Sequence, residues 1–140
     1  MAAATFNVNI NGYYRDSKKN GIPNLEGVYF VYTSNYNPQQ NTVTLHNLIY
    51  IGESDHVNLR IQNHEKYDIW KMYLQSGQEL CYSVGQVVND DRFRVEAAYI
   101  FRHKPPVNTE YVNAFPFDQT TINSLGETIL IDRLFTVFRT

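Results

Sequence analysis

Apolar and polar residues alternate along this chain in ways that set out its elements. From Thr5 to Ile10 every second residue, Phe6, Val8 and Ile10, is apolar, the period of a strand with one buried face. Asn11-Gly12 follows, a tight-turn dipeptide. Asp16 to Asn24 is polar, ends in Gly21-Ile22-Pro23 and predicts a loop. Gly27 to Thr33 and Leu48 to Ile51 are rich in β-branched and aromatic residues and predict strands. The polar stretch Ser34 to Asn41 between them predicts a loop, so the two strands make a long-looped hairpin. Ser54 and Asp55 are suited to cap a helix carrying Val57, Leu59, Arg60, Ile61 and His64. A second helical stretch, Asp68 to Gln75, holds the single tryptophan, Trp70, and Gly77 stops it. Leu80 to Val88 predicts a third strand. Asn89-Asp90-Asp91 then caps a helix from about Arg92 to Arg102, which Pro105-Pro106 ends.

The tail from Phe115 to Thr140 contains three short β-prone pieces, Thr120 to Ile122, Ile129 to Ile131 and Leu134 to Phe138, free to pair with one another or with the first strand. No internal repeat, low-complexity tract or linker interrupts the chain. The economical reading is a single α+β domain around a small mixed or antiparallel sheet. Its core covers about 26–110, with an N-terminal strand and turn extension (1–25) and a C-terminal tail (111–140).

Composition narrows the function classes. At 140 residues the chain is long enough to bury roughly two-thirds of its unfolded surface. Cys81 is the only cysteine, which excludes an internal disulfide and a cysteine-based zinc site. It reads as a small buried hydrophobe. No apolar run approaches the ~18 residues of a membrane span, and the first five residues lack the pattern of a signal peptide. The expectation is a cytoplasmic protein with no membrane partner. Lys and Arg number 12 against 14 Asp and Glu, a formal charge of −2, so any nucleic-acid surface must be local. The 11 tyrosines suit both core filling and stacking on bases.

Several residues could carry chemistry. Glu96 shares a predicted helix face with Phe93, Ala97 and Ile100, an apolar stripe that should face inward. A carboxylate there either pairs with Arg92, one turn earlier, or holds a divalent cation such as Mg²⁺ or Mn²⁺. Arg60 and His64 are four apart, so on a helix they stack on one face and suit a phosphate, one as a permanent charge and the other as a group that titrates near neutrality. The bland alternative is a solvated face shared with Glu65 and Lys66. Tyr29 and Tyr50 are sheet tyrosines that become a base only if a cation or a histidine helps to remove the hydroxyl proton.

Gly27-Val28-Tyr29, Tyr50-Ile51-Gly52, Arg60, Glu96 and Lys104-Pro105-Pro106-Val107-Asn108, in this order, resemble the GIY-YIG nuclease superfamily. The likeness spans Gly27 to Asn108. It implies a small, mainly antiparallel three-stranded central sheet flanked by helices, with the extra short β pieces at both termini outside it. It also implies Glu96 as the ligand of Mg²⁺ or Mn²⁺, Arg60 on the scissile phosphate, and Tyr29 or Tyr50 activating or positioning the attacking water. His64 would assist that tyrosine, and Asn108 would brace the site. Two departures stand out: Glu53, where many relatives carry lysine or another polar residue, and a longer segment between Tyr29 and Tyr50.

The resemblance therefore implies a metal-dependent endonuclease acting on DNA. Its small size leaves specificity to the N-terminal strand, the Tyr29 to Tyr50 segment, the tail, a homodimer, a partner protein or a branched or nicked substrate. A catalytically weak nucleic-acid-binding module of the same fold is the alternative, and a structural or signalling α+β domain is the third class. The residues quoted suit a phosphodiester of either DNA or RNA, and DNA is the expectation.

Overall fold

The computed structural model describes residues 2–140. Strand β1 (Ala4–Arg15) leads through a 3-10 helix (Asp16–Gly21) to β2 (Gly27–Asn37) and β3 (Thr42–Ser54). Two short helices follow, α1 (Val57–Gln62) and α2 (Tyr67–Lys71), then β4 (Glu79–Gln86), α3 (Asp91–His103), β5 (Thr120–Gly126) and β6 (Leu134–Val137). The strands form one six-stranded sheet in the order β3-β2-β4-β1-β5-β6, curled into a half-barrel. β1 and β5 run parallel, and the other neighbours are antiparallel.

This corrects the expected three-stranded sheet flanked by helices. The terminal pieces are not appendages, because β1 lies inside the sheet. Its first half pairs with β5 and its second half with β4. The helices contribute little, α1 being six residues long and α2 five. The Asn11-Gly12 turn is not made. β1 runs on to Arg15 with a register shift between Gly12 and Tyr14, and the glycine lets the backbone cross Ser83 and Tyr82, where a Cβ would lie 3.0 Å from the Ser83 Cβ.

The hairpin loop is also shorter than its composition implies. Only Pro38 to Asn41 connects β2 to β3, and the polar residues on either side are strand. Backbone pairing satisfies this ribbon whatever its side chains. Arg15 stacks on Tyr36, 3.4 Å from the ring centroid, and Asn37 Oδ1 accepts the Gln39 and Gln40 amides to fix the turn. In the tail, 129–131 is not strand.

β2 divides the core. Val28, Phe30 and Tyr32 face α3, Val95 and Ala98, while Tyr29 and Val31 face Val57, Ile61 and Trp70 from α1 and α2. A strand buried on both faces loses its alternation, so β2 reads as a continuous apolar run. β3 is an edge strand. Its inner half is covered by the chain after α3, which donates Val107 N–H to the Ile49 carbonyl at 3.1 Å. Among the described residues no helix is long and apolar enough to cross a membrane.

Candidate active site

The two glycine-tyrosine strings meet across one strand pair. Tyr29 stands opposite Gly52 and Val31 opposite Tyr50, so both tyrosines project toward the α1 side with ring centroids 6.2 Å apart. A Cβ on Gly52 would lie 2.3 Å from the Tyr29 hydroxyl and Cζ. The glycine is what allows Tyr29 to lie flat across β3, 1 % exposed.

α1 ends at Gln62, its N-cap is His56 and not Ser54 or Asp55, and no side chain caps it. His64 therefore lies past the helix, and the expected stacking of Arg60 and His64 on one helical face does not occur. The imidazole folds under the chain, buried, with its ring centroid 4.4 Å from that of Trp70 and 5.3 Å from that of Tyr50. Its Nε2 lies 2.8 Å from the Tyr29 hydroxyl, and its Nδ1 accepts the Lys66 backbone N–H at 3.1 Å. A nitrogen that accepts an N–H carries no proton, so the neutral ring keeps its hydrogen on Nε2 and donates it to Tyr29. Burial first, then the Arg60 charge, lowers the His64 pKa to about 4. Burial raises that of Tyr29, with Tyr50 adding to it and Arg60 opposing.

Arg60 points from α1 into the same region, but its fork is held by Glu65 through Nη1 to Oε2 at 2.6 Å and Nη2 to Oε1 at 2.7 Å. That bond raises the Arg60 pKa and lowers the Glu65 pKa to about 2.

Glu96 is placed by α3, whose Val95, Ala97, Ala98 and Ile100 are buried against the sheet. Of its predicted stripe, Ala97 and Ile100 face inward, whereas Phe93 is 42 % exposed, and Glu96 sits half-buried at that boundary. The pair with Arg92 is not formed. Arg92 turns instead to Glu26 and to Glu53, whose Oε1 is 3.0 Å from Nε, which neutralises the carboxylate that departs from the family pattern. Glu96 has no ion pair among the described residues. Burial, then Glu53 and Glu110, raises its pKa to about 8, with the Glu53 backbone amide pulling the other way.

Asn108 acts as a strand-like brace. Its Oδ1 accepts the Ile51 N–H at 3.0 Å and its Nδ2 donates to the Ile51 carbonyl at 2.9 Å. One side chain thus saturates the edge of β3 between Tyr50 and Gly52.

Tyr50, Arg60, Glu96 and Asn108 line one cleft of about 510 Å³, with Glu53 and Glu110 beside them. Tyr29 and His64 do not line it. They form a hydrogen-bonded layer behind Tyr50. Glu53, Glu65, Glu96 and Glu110 line it together with Arg60 and Lys66, so its formal balance is acidic. Glu65, Glu110 and the Arg92–Glu53 pair were not singled out from sequence as site features. The proximity of Glu65 to Arg60 in the chain was a signal, whereas the 39-residue separation of Arg92 and Glu53 offers none.

A hard divalent cation suits this donor set. Mg²⁺ commonly uses one or two carboxylates and completes its shell with water and phosphate oxygens, and Glu96 is a half-buried carboxylate with no ion pair among the described residues. No group of three His, Cys, Asp or Glu side chains poised to hold a metal occurs among the described residues, so any such ion would depend on Glu96 and on its substrate. Comparison with protein-family models, with curated proteins and with solved structures finds no match to this chain.

Proposed function

We propose that this protein is a divalent-metal-dependent endonuclease that hydrolyses phosphodiester bonds in DNA, as its resemblance to GIY-YIG nucleases implies. The observation that carries the reading is the meeting of Tyr50, Arg60, Glu96 and Asn108, from four separate stretches of chain, around one cleft. The setting is the cytoplasm, with specificity supplied by a homodimer, a partner protein or the shape of the substrate.

Tyr50, the tyrosine that reaches the cleft, accepts a hydrogen bond from the attacking water and positions it. As the new P–O bond forms and the P–O bond to the leaving oxygen breaks, the water gives up its proton to solvent and the leaving oxygen takes one from solvent. Tyr29 stands behind Tyr50, kept protonated by its burial, and the His64 Nε2–H donated to its oxygen fixes the direction of that hydroxyl. Arg60 exchanges Glu65 for the scissile phosphate and spreads the charge that develops there. Glu65 remains an ionised partner to which the guanidinium returns. Asn108 holds the Ile51 peptide and with it the direction of Tyr50. Glu96 would hold Mg²⁺ or Mn²⁺, which supplies Lewis-acid stabilisation of phosphate charge.

A second reading, a weakly catalytic nucleic-acid-binding module, is favoured by the occupied Arg60 fork and the acidic lining. Incubation of plasmid and branched DNA with Mg²⁺ or Mn²⁺ separates the two. Cutting that disappears in Glu96→Ala supports the enzyme. Binding that needs no metal and produces no cuts supports the module.

A further inference from the structure

A second cavity of about 630 Å³ opens next to the cleft. Phe93 and Tyr111 line both spaces, and Phe117 adds a third aromatic wall to the second. Phe93 is an exposed aromatic three residues before Glu96 on the same helix. Tyr111 is held at a φ of 62°, a left-handed conformation that a bulky residue rarely adopts. Arg94 also lines the cavity and is 8 % exposed. Its Nε donates to Thr120 Oγ1 and its Nη2 to the Ala2, Asp118 and Gln119 carbonyls. It makes no ion pair, and Nη1 has no partner among the described residues. Exposed Asp90 and Asp91 complete the lining.

These groups fit a planar, neutral ligand with hydrogen-bond donors on its edge. Aromatic walls stack on a base. The Asp90 and Asp91 carboxylates can accept from an exocyclic amino group. A phosphate would meet two carboxylates with one cation to offset them. A base inside a duplex is already stacked and cannot enter.

We infer that the cavity beside Phe93 receives an unpaired nucleobase next to the phosphate in the cleft, so that the substrate class is nucleic acid with displaced nucleotides at the cleavage position, such as a flap or branch. The inference rests on the nuclease reading for its ligand, but its test requires no cleavage. A DNA flap with 2-aminopurine at the first unpaired position is titrated with protein in the absence of divalent metal, beside the same oligonucleotide fully paired. The wild type is expected to quench the flap signal and leave the paired signal unchanged. Phe93→Ala is expected to lose the quench and to bind the flap about 5- to 150-fold more weakly, the range that base stacking represents. Phe93→Trp should restore both. Equal quenching by wild type and Phe93→Ala, no quenching by the wild type, or stronger quenching of the paired oligonucleotide overturns the assignment, as does capture of a peptide partner that excludes the flap. Failure to cut any DNA in Mg²⁺ would count against the nuclease and not against the quench.

Discussion

His64 donates its Nε2–H to the Tyr29 hydroxyl over 2.8 Å while its Nδ1 is held by the Lys66 amide. This histidine is thereby committed to one tautomer and to one tyrosine. It is a donor to the phenol oxygen and has no lone pair facing it.

The first consequence is a pH dependence. The folded-state pKa of His64, about 4, lies below the ordinary value of 6.5. The unfolded chain therefore binds a proton between those values that the folded chain refuses. Stability from this group is full above about pH 6.5 and is lost as pH falls toward 4, by about 3 kcal/mol at most. Nitrogen-edited NMR of the imidazole should show the Nε2–H tautomer from pH 6 to 8 with no titration there. An inflection near 6.5 would contradict the arrangement.

Glu96 has the opposite sign. Its folded pKa, about 8, lies above the ordinary carboxylate value, so the folded chain binds the extra proton, and its stabilisation is lost as pH rises from about 4.5 to 8. Glu96→Gln is expected to raise Tm at pH 8.5 without metal and to change it little at pH 4.5. Added Mg²⁺ should raise the wild-type Tm at pH 8.5 and leave that of Glu96→Gln unchanged. Thermal denaturation at the two pH values reads both effects.

Gly52→Ala is expected to be costly although the added group is one methyl. Its Cβ would fall 2.3 Å from the Tyr29 ring, so the ring must move and break its bond to His64. Overpacking of this kind costs about 1–3 kcal/mol, and chemical denaturation should place the variant in or above that range, with the His64 imidazole resonances shifted.

Asn108→Ala removes both hydrogen bonds to the Ile51 peptide and leaves edge backbone groups to water. A loss of about 1–3 kcal/mol is expected. Asn108→Asp keeps the acceptor and loses the donor, and should fall between the alanine variant and the wild type.

Glu65→Gln weakens the hold on the Arg60 fork. DNA affinity should rise several-fold, most at low salt, where exposed ion pairs and phosphate contacts are both strongest. An unchanged affinity would mean that Arg60 does not leave Glu65 for phosphate.

The local signals in this chain were sound where neighbours in sequence decide the structure. Tyr29 and Tyr50 do lie on paired strands and Glu96 on a helix that stops before the two prolines, because β-branched runs and proline act within a few positions, whereas no side chain caps α1 or α3. The sheet was not legible in the same way. β1 sits between β4 and β5 through pairings such as Ala4 with Thr120 and Ile10 with Gly85, and nothing in alternation says which strand a strand will meet. Polar composition hid the outer half of the β2–β3 ribbon, since a backbone ladder tolerates Asn and Thr. The i,i+4 argument for Arg60 and His64 failed because it presumed a helix two residues longer than α1. The pairing of Arg92 with Glu53 is likewise a product of tertiary approach, which left Glu96 without the neighbour its own helix offered.

Single-turnover cleavage of branched DNA in Mg²⁺ by the wild type, Tyr50→Phe, Arg60→Ala and Glu96→Ala, each shown to be folded, is the most direct test that one cleft acts on one phosphodiester. The account expects each variant to lose about 100-fold or more in rate, with double substitutions losing much less than the product of the single losses, as groups acting as a unit do. Undiminished cutting by Glu96→Ala, or by Arg60→Ala, would contradict it.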